Sequence, residues 1–243
     1  MPRSLYTEPA YYRMLFDGRA NDLDFYLLHT SGDVGEVLEL GVGTGRVAVH
    51  LAREGRRVLG VDRSPEMLDA LASRLAAEPP EVAARVRAVR ADSRELRLPG
   101  RFSRISCPFN GLAHLHEDED LGAFFAAVRR HLAPDGRFAF DVMVPDPTLL
   151  QGGSSYVPRF EHPRTGEPCR TEETYAYDTL RQVLTIRTEI TPRLGSAPPH
   201  VLELSLRQFF PRETRLLLAH HGLELLERAD LGDSLGYVCR PAR

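Results

Sequence analysis

Between Glu36 and Leu51 the chain reads EVLELGVGTGRVAVHL: a short apolar run, glycines at positions 41, 43 and 45, then the start of a helix. Without side chains at those three places the backbone can bend sharply and approach a ligand closely. The N–H groups at the start of the helix point at whatever lies there, which favours a carboxylate or a phosphate. A strand, a tight turn and a helix linked in this way leave few folds open. Strand-like and helix-like stretches go on alternating to about Val144, the pattern of parallel strands joined by crossover helices.

The strands are expected at Glu36 to Leu40, Arg57 to Val61, Val86 to Ala91, Phe102 to Pro108 and Gly136 to Val144. Their short apolar runs suit a sheet covered on both faces. Ser64-Pro65-Glu66-Met67 reads as a helix start, with Ser as N-cap and Pro where its missing N–H costs nothing. Leu68, Leu71 and Leu75 then share a face. Leu121, Phe124, Phe125, Val128 and Leu132 form a helical core stripe expected to end at the turn Pro134-Asp135-Gly136. From Pro145 the character changes. Turn-rich residues 151–155 precede β-prone stretches at Thr171 to Asp178, Val183 to Thr191 and Val201 to Phe209, read as an antiparallel insert on the sheet's edge. Pro211 to His221 reads as a helix ended by Gly222, with closing strands at Leu223 to Arg228 and Gly236 to Cys239. One elaborated domain is expected over 1–243, with an N-terminal helical lid segment (1–35), a cofactor-binding core (36–144), a substrate-side β insert (145–210) and a closing helix and strands (211–243).

The glycine turn alone does not name a ligand, because Gly43-Thr44-Gly45-Arg46-Val47-Ala48 also fits the dinucleotide pattern G-x-G-x-x-G/A. Three acids narrow the choice. Glu39 stands two residues before the first glycine, Asp62 ends the second strand and Asp92 ends the third, so all three converge at the carboxyl edge where open α/β sheets bind ligands. An acid after the second strand suits any ribose; the acid after the third tips the balance.

With these residues in place, Val37 to Leu51 (VLELGVGTGRVAVHL), Val58 to Leu68 (VLGVDRSPEML) and Ala91-Asp92 resemble the successive motifs of class I S-adenosylmethionine-dependent methyltransferases. The resemblance implies a doubly wound, mostly parallel seven-stranded α/β sheet of Rossmann-like type. It implies S-adenosylmethionine as cofactor and methyl transfer to oxygen or nitrogen of a small metabolite. By the same resemblance Gly41, Gly43 and Gly45 lie beside the methionine part, Asp62 holds the ribose, Met67 packs on adenine and Asp92 reads the adenine amine, with Glu39 and Ser93 also counted among the cofactor-binding residues. Cys107 to Leu115 is similar to the fourth-strand exit of small-molecule members, which places Pro108 and Asn110 near the sulfonium. Phe102-Ser103 departs from the Phe-Asp with which many relatives begin that strand. The rival readings are a nicotinamide-dependent oxidoreductase on a similar fold and a non-catalytic S-adenosylmethionine-binding protein.

His114 follows the fourth strand and is the candidate general base, since an imidazole titrates near neutrality. Tyr12, beside Tyr11, is the candidate lid residue, with packing on the sheet as its alternative. Met67 has a core role as its alternative, and Asp141 is read as a buried, hydrogen-bonded group. His114 and His116 followed by Glu117 to Asp120 look more like a helix start whose acids offset the dipole than a metal site. All 31 basic residues are Arg, which excludes chemistry that needs a lysine amine. A net charge of -3 gives no electrostatic footprint for nucleic acid. No apolar run is long enough to span a bilayer, and no secretory signal is expected, so a cytoplasmic protein with a small-molecule acceptor is the expectation. The insert also offers a surface for a homodimer contact. Cys107, Cys169 and Cys239 show no C-x-x-C spacing, so neither a zinc knuckle nor a disulfide framework is expected, and Cys107 is read as a packing residue.

Overall fold

A computed structural model describes residues 3–32, 34–194 and 198–242. Its strands are β1 (Arg3–Ser4), β2 (Glu36–Leu40), β3 (Arg57–Asp62), β4 (Val86–Arg90), β5 (Phe102–Cys107), β6 (Leu132–Met143), β7 (Gly153–Glu161), β8 (Pro168–Asp178), β9 (Val183–Pro192), β10 (His200–Arg207), β11 (Leu223–Asp230) and β12 (Ser234–Pro241). Its α-helices are α1 (Pro9–Phe16), α2 (Leu23–His29), α3 (Arg46–Arg53), α4 (Pro65–Ala76), α5 (Pro80–Ala83), α6 (Asp118–His131), α7 (Pro147–Leu150) and α8 (Pro211–His220). Contacts divide the chain into two compact units, one formed by residues up to Gly18 with Pro145–Gln208, the other by Arg19–Val144 with Phe209–Arg243. Among the described residues no helix is long and apolar enough to cross a membrane.

The larger unit holds a seven-stranded sheet in the order β11-β12-β6-β5-β2-β3-β4. Every pairing is parallel except those of β12, which runs antiparallel to both β11 and β6. This is the doubly wound sheet that the alternating pattern predicts. Near its middle, Val37, Leu38 and Leu40 of β2 are at most 2% exposed, as a parallel strand covered on both faces requires. The amphipathic α3 buries Val47, Val49 and Leu51 in the same core as Val37 and Val58. On α4 the Ser64 hydroxyl accepts the Met67 N–H at 3.2 Å, and Leu71 is buried, with Leu68 and Leu75 packed partly against the core.

One boundary departs from the sequence reading. Helix α6 stops at His131, and Leu132 opens β6 with an extended backbone, paired to Phe102. An apolar residue at the next helical position reads as one more turn of stripe, but strand pairing claims it. The following Ala133 to Gly136 segment is absorbed by a register irregularity opposite Phe102 and Arg104.

The smaller unit is a five-stranded sheet in the order β1-β10-β9-β8-β7, antiparallel except for the short parallel pairing of β1 with β10. Residues 153–155, expected in a turn, are strand: Gly153, Ser154 and Ser155 pair with Tyr175, Thr174 and Glu173. Their composition is turn-like, and only the partner strand makes them extended. The core of this unit gathers Leu5, Tyr11, Phe160, Cys169, Ile190 and Leu202.

Candidate active site

The carboxyl ends of β2, β3 and β5 in the larger unit bring together most of the acids and glycines expected there. After β2 the turn is anchored to β3, with the Gly41 and Val42 N–H groups both donating to the Val61 carbonyl at 2.8 and 3.0 Å. Gly45 caps α3 in the left-handed region at φ 80°, and a Cβ there would fall 2.3 Å from Leu71 Cδ1. The left-handed backbone is what favours glycine here, since the Leu71 methyl that a Cβ would meet can move aside. Gly41 and Gly43 differ: a Cβ at Gly41 would meet nothing within 4 Å, and one at Gly43 would just reach the Gly41 carbonyl at 4.0 Å. The backbone there is open on its ligand side.

Glu39 lies beneath this turn. It is 2% exposed, and its Oε2 has no hydrogen-bond partner among the described residues. Burial pushes its pKa up to about 8, with the Arg46 guanidinium and the Ala48 N–H working in the opposite direction. Asp62 divides its oxygens: Oδ2 accepts the Gly43 N–H at 2.8 Å and Oδ1 the Ser64 N–H at 2.9 Å. Burial raises its pKa and those backbone donors hold it back. With the Arg63 N–H as a third backbone donor, the carboxylate still keeps a lone pair for a hydroxyl.

Asp92 is placed differently from a simple strand-end acceptor. Arg94 grips it with Nε to Oδ1 at 2.9 Å and Nη2 to Oδ2 at 2.6 Å, while its own N–H donates to Oδ1 at 2.9 Å. Arg94 also donates to Asp120 Oδ1 at 2.6 Å, and its charge holds the Asp92 carboxyl below the usual range. Ser93 is half-buried in the turn that follows. Met67 is wholly buried.

Beyond β5 the chain turns through two non-glycine residues in the left-handed region, Phe109 at φ 52° and Asn110 at φ 59°. Such residues carry strain that the surroundings must hold. Strand β6 does so. The wholly buried Asp141 accepts the Phe109 N–H at 2.6 Å and the Tyr26 hydroxyl at 2.5 Å, and the Asn110 side chain accepts the Met143 N–H. Burial raises the Asp141 pKa to about 6, opposed by those two donors. Pro108 is buried at the start of this turn.

Sequence reasoning did not find a buried ionic cluster behind the site. The Arg46 guanidinium is held by both oxygens of Asp22, at 2.6 and 2.5 Å, and the Arg19 guanidinium reaches Asp233 and, at 2.9 Å, the Ser234 hydroxyl. Both arginines lie over the Phe109 ring, 5.1 and 5.4 Å from its centroid. Asp22 is completely buried. The only local signal was a basic first residue on α3, where the helix dipole favours an acid.

His114 ends a short 3-10 helix, Gly111–His114, and is half-buried. Burial lowers its pKa to about 4, helped by Arg63 and His116, so its imidazole is neutral at pH 7. Cys107 is buried and its thiol is pushed far up, which leaves it unreactive. Among the described residues no group of three or more His, Cys, Asp or Glu is arranged to hold a metal. Tyr12 belongs to the smaller unit, its ring 5.7 Å from Tyr6 and 5.1 Å from Phe16.

An open glycine turn, an orphaned buried carboxyl oxygen beneath it and a strand-end carboxylate with spare lone pairs form a donor and acceptor set that fits a nucleoside carrying a cationic amino-acid group. Comparison with known proteins agrees. Residues 37–136 match a family described as methyltransferase domain. The structure is similar to that of the CcbJ methyltransferase from Streptomyces caelestis, at 27% identity and a TM-score of 0.83, covering 99% of both chains. The sequence is 32% identical over 127 residues to the cypemycin N-terminal methyltransferase of Streptomyces sp, covering 52% of this chain and 49% of that protein. It is 29% identical over 171 residues to the dTDP-3-amino-3,6-dideoxy-alpha-D-glucopyranose N,N-dimethyltransferase of Streptomyces fradiae, covering 64% and 62%. The chain spans about half the length of the first curated relatives it matches. On the motifs, the sheet order and a likeness that runs the length of both chains, residues 37–136 carry a methyltransferase domain and the chain as a whole is similar to S-adenosylmethionine-dependent methyltransferases.

Proposed function

We propose that the protein moves a methyl group from S-adenosylmethionine to oxygen or nitrogen of a small metabolite, with an amine as the first acceptor to test. The observation that carries this reading is Glu39, whose unpartnered buried oxygen lies under a glycine turn open to a ligand. Two curated relatives whose names give N-methyl transfer, an N,N-dimethyltransferase and an N-methyltransferase, favour nitrogen.

Glu39 and the open turn would hold the methionine end, Asp62 the ribose hydroxyls, and Asp92 with Ser93 the adenine amine. The cofactor supplies a methyl group already activated by its sulfonium, so the protein's share is alignment and exclusion of water. Pro108 and Asn110 would border the reacting centre, in a turn that Asp141 and Met143 keep rigid. His114, neutral at pH 7, would accept a hydrogen bond from the acceptor's N–H or O–H and so orient it, and it serves as a base only if bound substrate raises its pKa.

A labelled-methyl transfer screen over small amines and hydroxyl compounds, read by mass spectrometry, tests this. Transfer to at least one acceptor is expected. Stabilisation by a nicotinamide cofactor and none by S-adenosylhomocysteine would overturn the reading, and tight S-adenosylhomocysteine binding without any transfer would favour a non-catalytic binding protein.

A further inference from the structure

One cavity of the smaller unit has no place in the methyl-transfer reading. It measures about 260 Å³, and Ile190, Pro192 and Pro198 supply its apolar wall. That is just under the ~300 to 1,000 Å³ of sites for drug-sized ligands, so its occupant is small.

The polar lining is rich in donors. Tyr11 is buried, its ring stacked on His200 at 4.4 Å and parallel to Phe160 at 6.3 Å, and its hydroxyl is the polar group it can offer. That hydroxyl lies 3.0 Å from His162 Nε2. His162 Nδ1 accepts the backbone N–H groups of Arg164 at 3.3 Å and Thr165 at 3.2 Å. A nitrogen that accepts carries no proton, so the ring proton sits on Nε2 and is donated to the tyrosine oxygen. The Tyr11 hydrogen is then free for another acceptor.

His200 Nε2 is buried without a hydrogen-bond partner among the described residues. The acid nearest it, Glu8, lies 3.8 Å away and is already engaged by Arg3 at 2.6 Å. Arg164 also lines the cavity and forms no ion pair among the described residues. Arg3, Arg164 and Glu8 together leave one net positive charge.

We propose that this cavity binds small organic carboxylates: the anion meets the Tyr11 hydroxyl and the Arg164 guanidinium, and an apolar body rests against Ile190 and the prolines. The proposal does not depend on methyl transfer, and its test is read without cofactor or turnover. The full chain is titrated with benzoate, benzamide and inorganic phosphate and followed by protein-observed NMR.

Saturable benzoate binding is expected, about tenfold weaker in Arg164→Gln and in Tyr11→Phe, the usual scale for losing one charge-assisted hydrogen bond. Benzamide is expected to bind at least about tenfold more weakly than benzoate for the same reason. Arg164 is exposed, and phenylalanine keeps the stacking of Tyr11, so both variants should retain the wild-type melting temperature. If Tyr11→Phe fails to fold, Arg164→Gln decides alone. Absence of saturable benzoate shifts at about 10 mM, well above the ~1 mM of a weak site, overturns the proposal. So do equal affinities for benzamide and benzoate, a wild-type affinity in Arg164→Gln, or phosphate binding more tightly than benzoate.

Discussion

Replacing Glu39 with glutamine tests whether the acid beneath the glycine turn is there to meet a cation. With its pKa pushed from an ordinary 4.5 to about 8, Glu39 is roughly nine-tenths protonated at pH 7. A positive charge arriving about 4 Å away, at an effective dielectric of about 20, favours the carboxylate by about 4 kcal/mol. That is on the order of a thousandfold in the proton equilibrium, enough to ionise the group at pH 7. Binding of S-adenosylhomocysteine, which keeps the ammonium, should therefore release close to one proton. Calorimetry in buffers of different ionisation enthalpy reads that number as a slope. The wild type should give roughly 0.9 proton at pH 7 and Glu39→Gln close to none. The same substitution has a signature without ligand. An acid whose folded pKa is raised contributes stability that is fully present below 4.5 and is lost as pH rises towards about 8. By pH 7 that loss is on the order of 3 kcal/mol, and it should be missing in Glu39→Gln when urea midpoints are compared across the window. Equal slopes in the two proteins, or parallel stability curves between pH 5 and pH 8, would refute the reasoning.

Asp62→Ala should abolish most affinity for S-adenosylhomocysteine while the protein stays folded, and an unchanged calorimetric affinity in the folded variant would contradict the ribose role. Asp141→Ala should cost about 2 to 4 kcal/mol in urea unfolding because the Tyr26 hydroxyl and the Phe109 N–H lose their acceptor, whereas Asp141→Asn keeps an acceptor oxygen and should cost much less. Gly45→Ala combines a left-handed backbone with a 2.3 Å approach to Leu71 and should cost about 3 kcal/mol, measured in the same way.

What the sequence made readable was local. The turn at 41–45, the capped start of α4 and the acids at 39, 62 and 92 each lie within a few residues of the element that positions them, so spacing alone put them at one sheet edge. What escaped was set by distant partners. Tyr26 meets Asp141 across 115 positions of chain, and Arg19 meets Asp233 across 214. No periodicity carries such pairings. Residues 153–155 and Leu132 misled for the same reason, since the strand opposite each decides its conformation. Asp92 shows the limit in a milder form: its position was expected, but the grip of Arg94 two residues on depends on a side-chain rotamer that no pattern specifies.

The placing of β12 between β11 and β6 sets an order of events during synthesis. When the glycine turn and α3 leave the ribosome, Asp22 is already available to Arg46, but Asp233, the partner of Arg19, has yet to be made, and so has the strand that flanks β6. A nascent chain that ends before Ser234 holds every glycine and strand-end acid of the site, yet lacks the neighbour that fixes β6, on which Phe109 and Asn110 lean. Competence for ligand should therefore arrive late, nearly all at once, with the synthesis of β12.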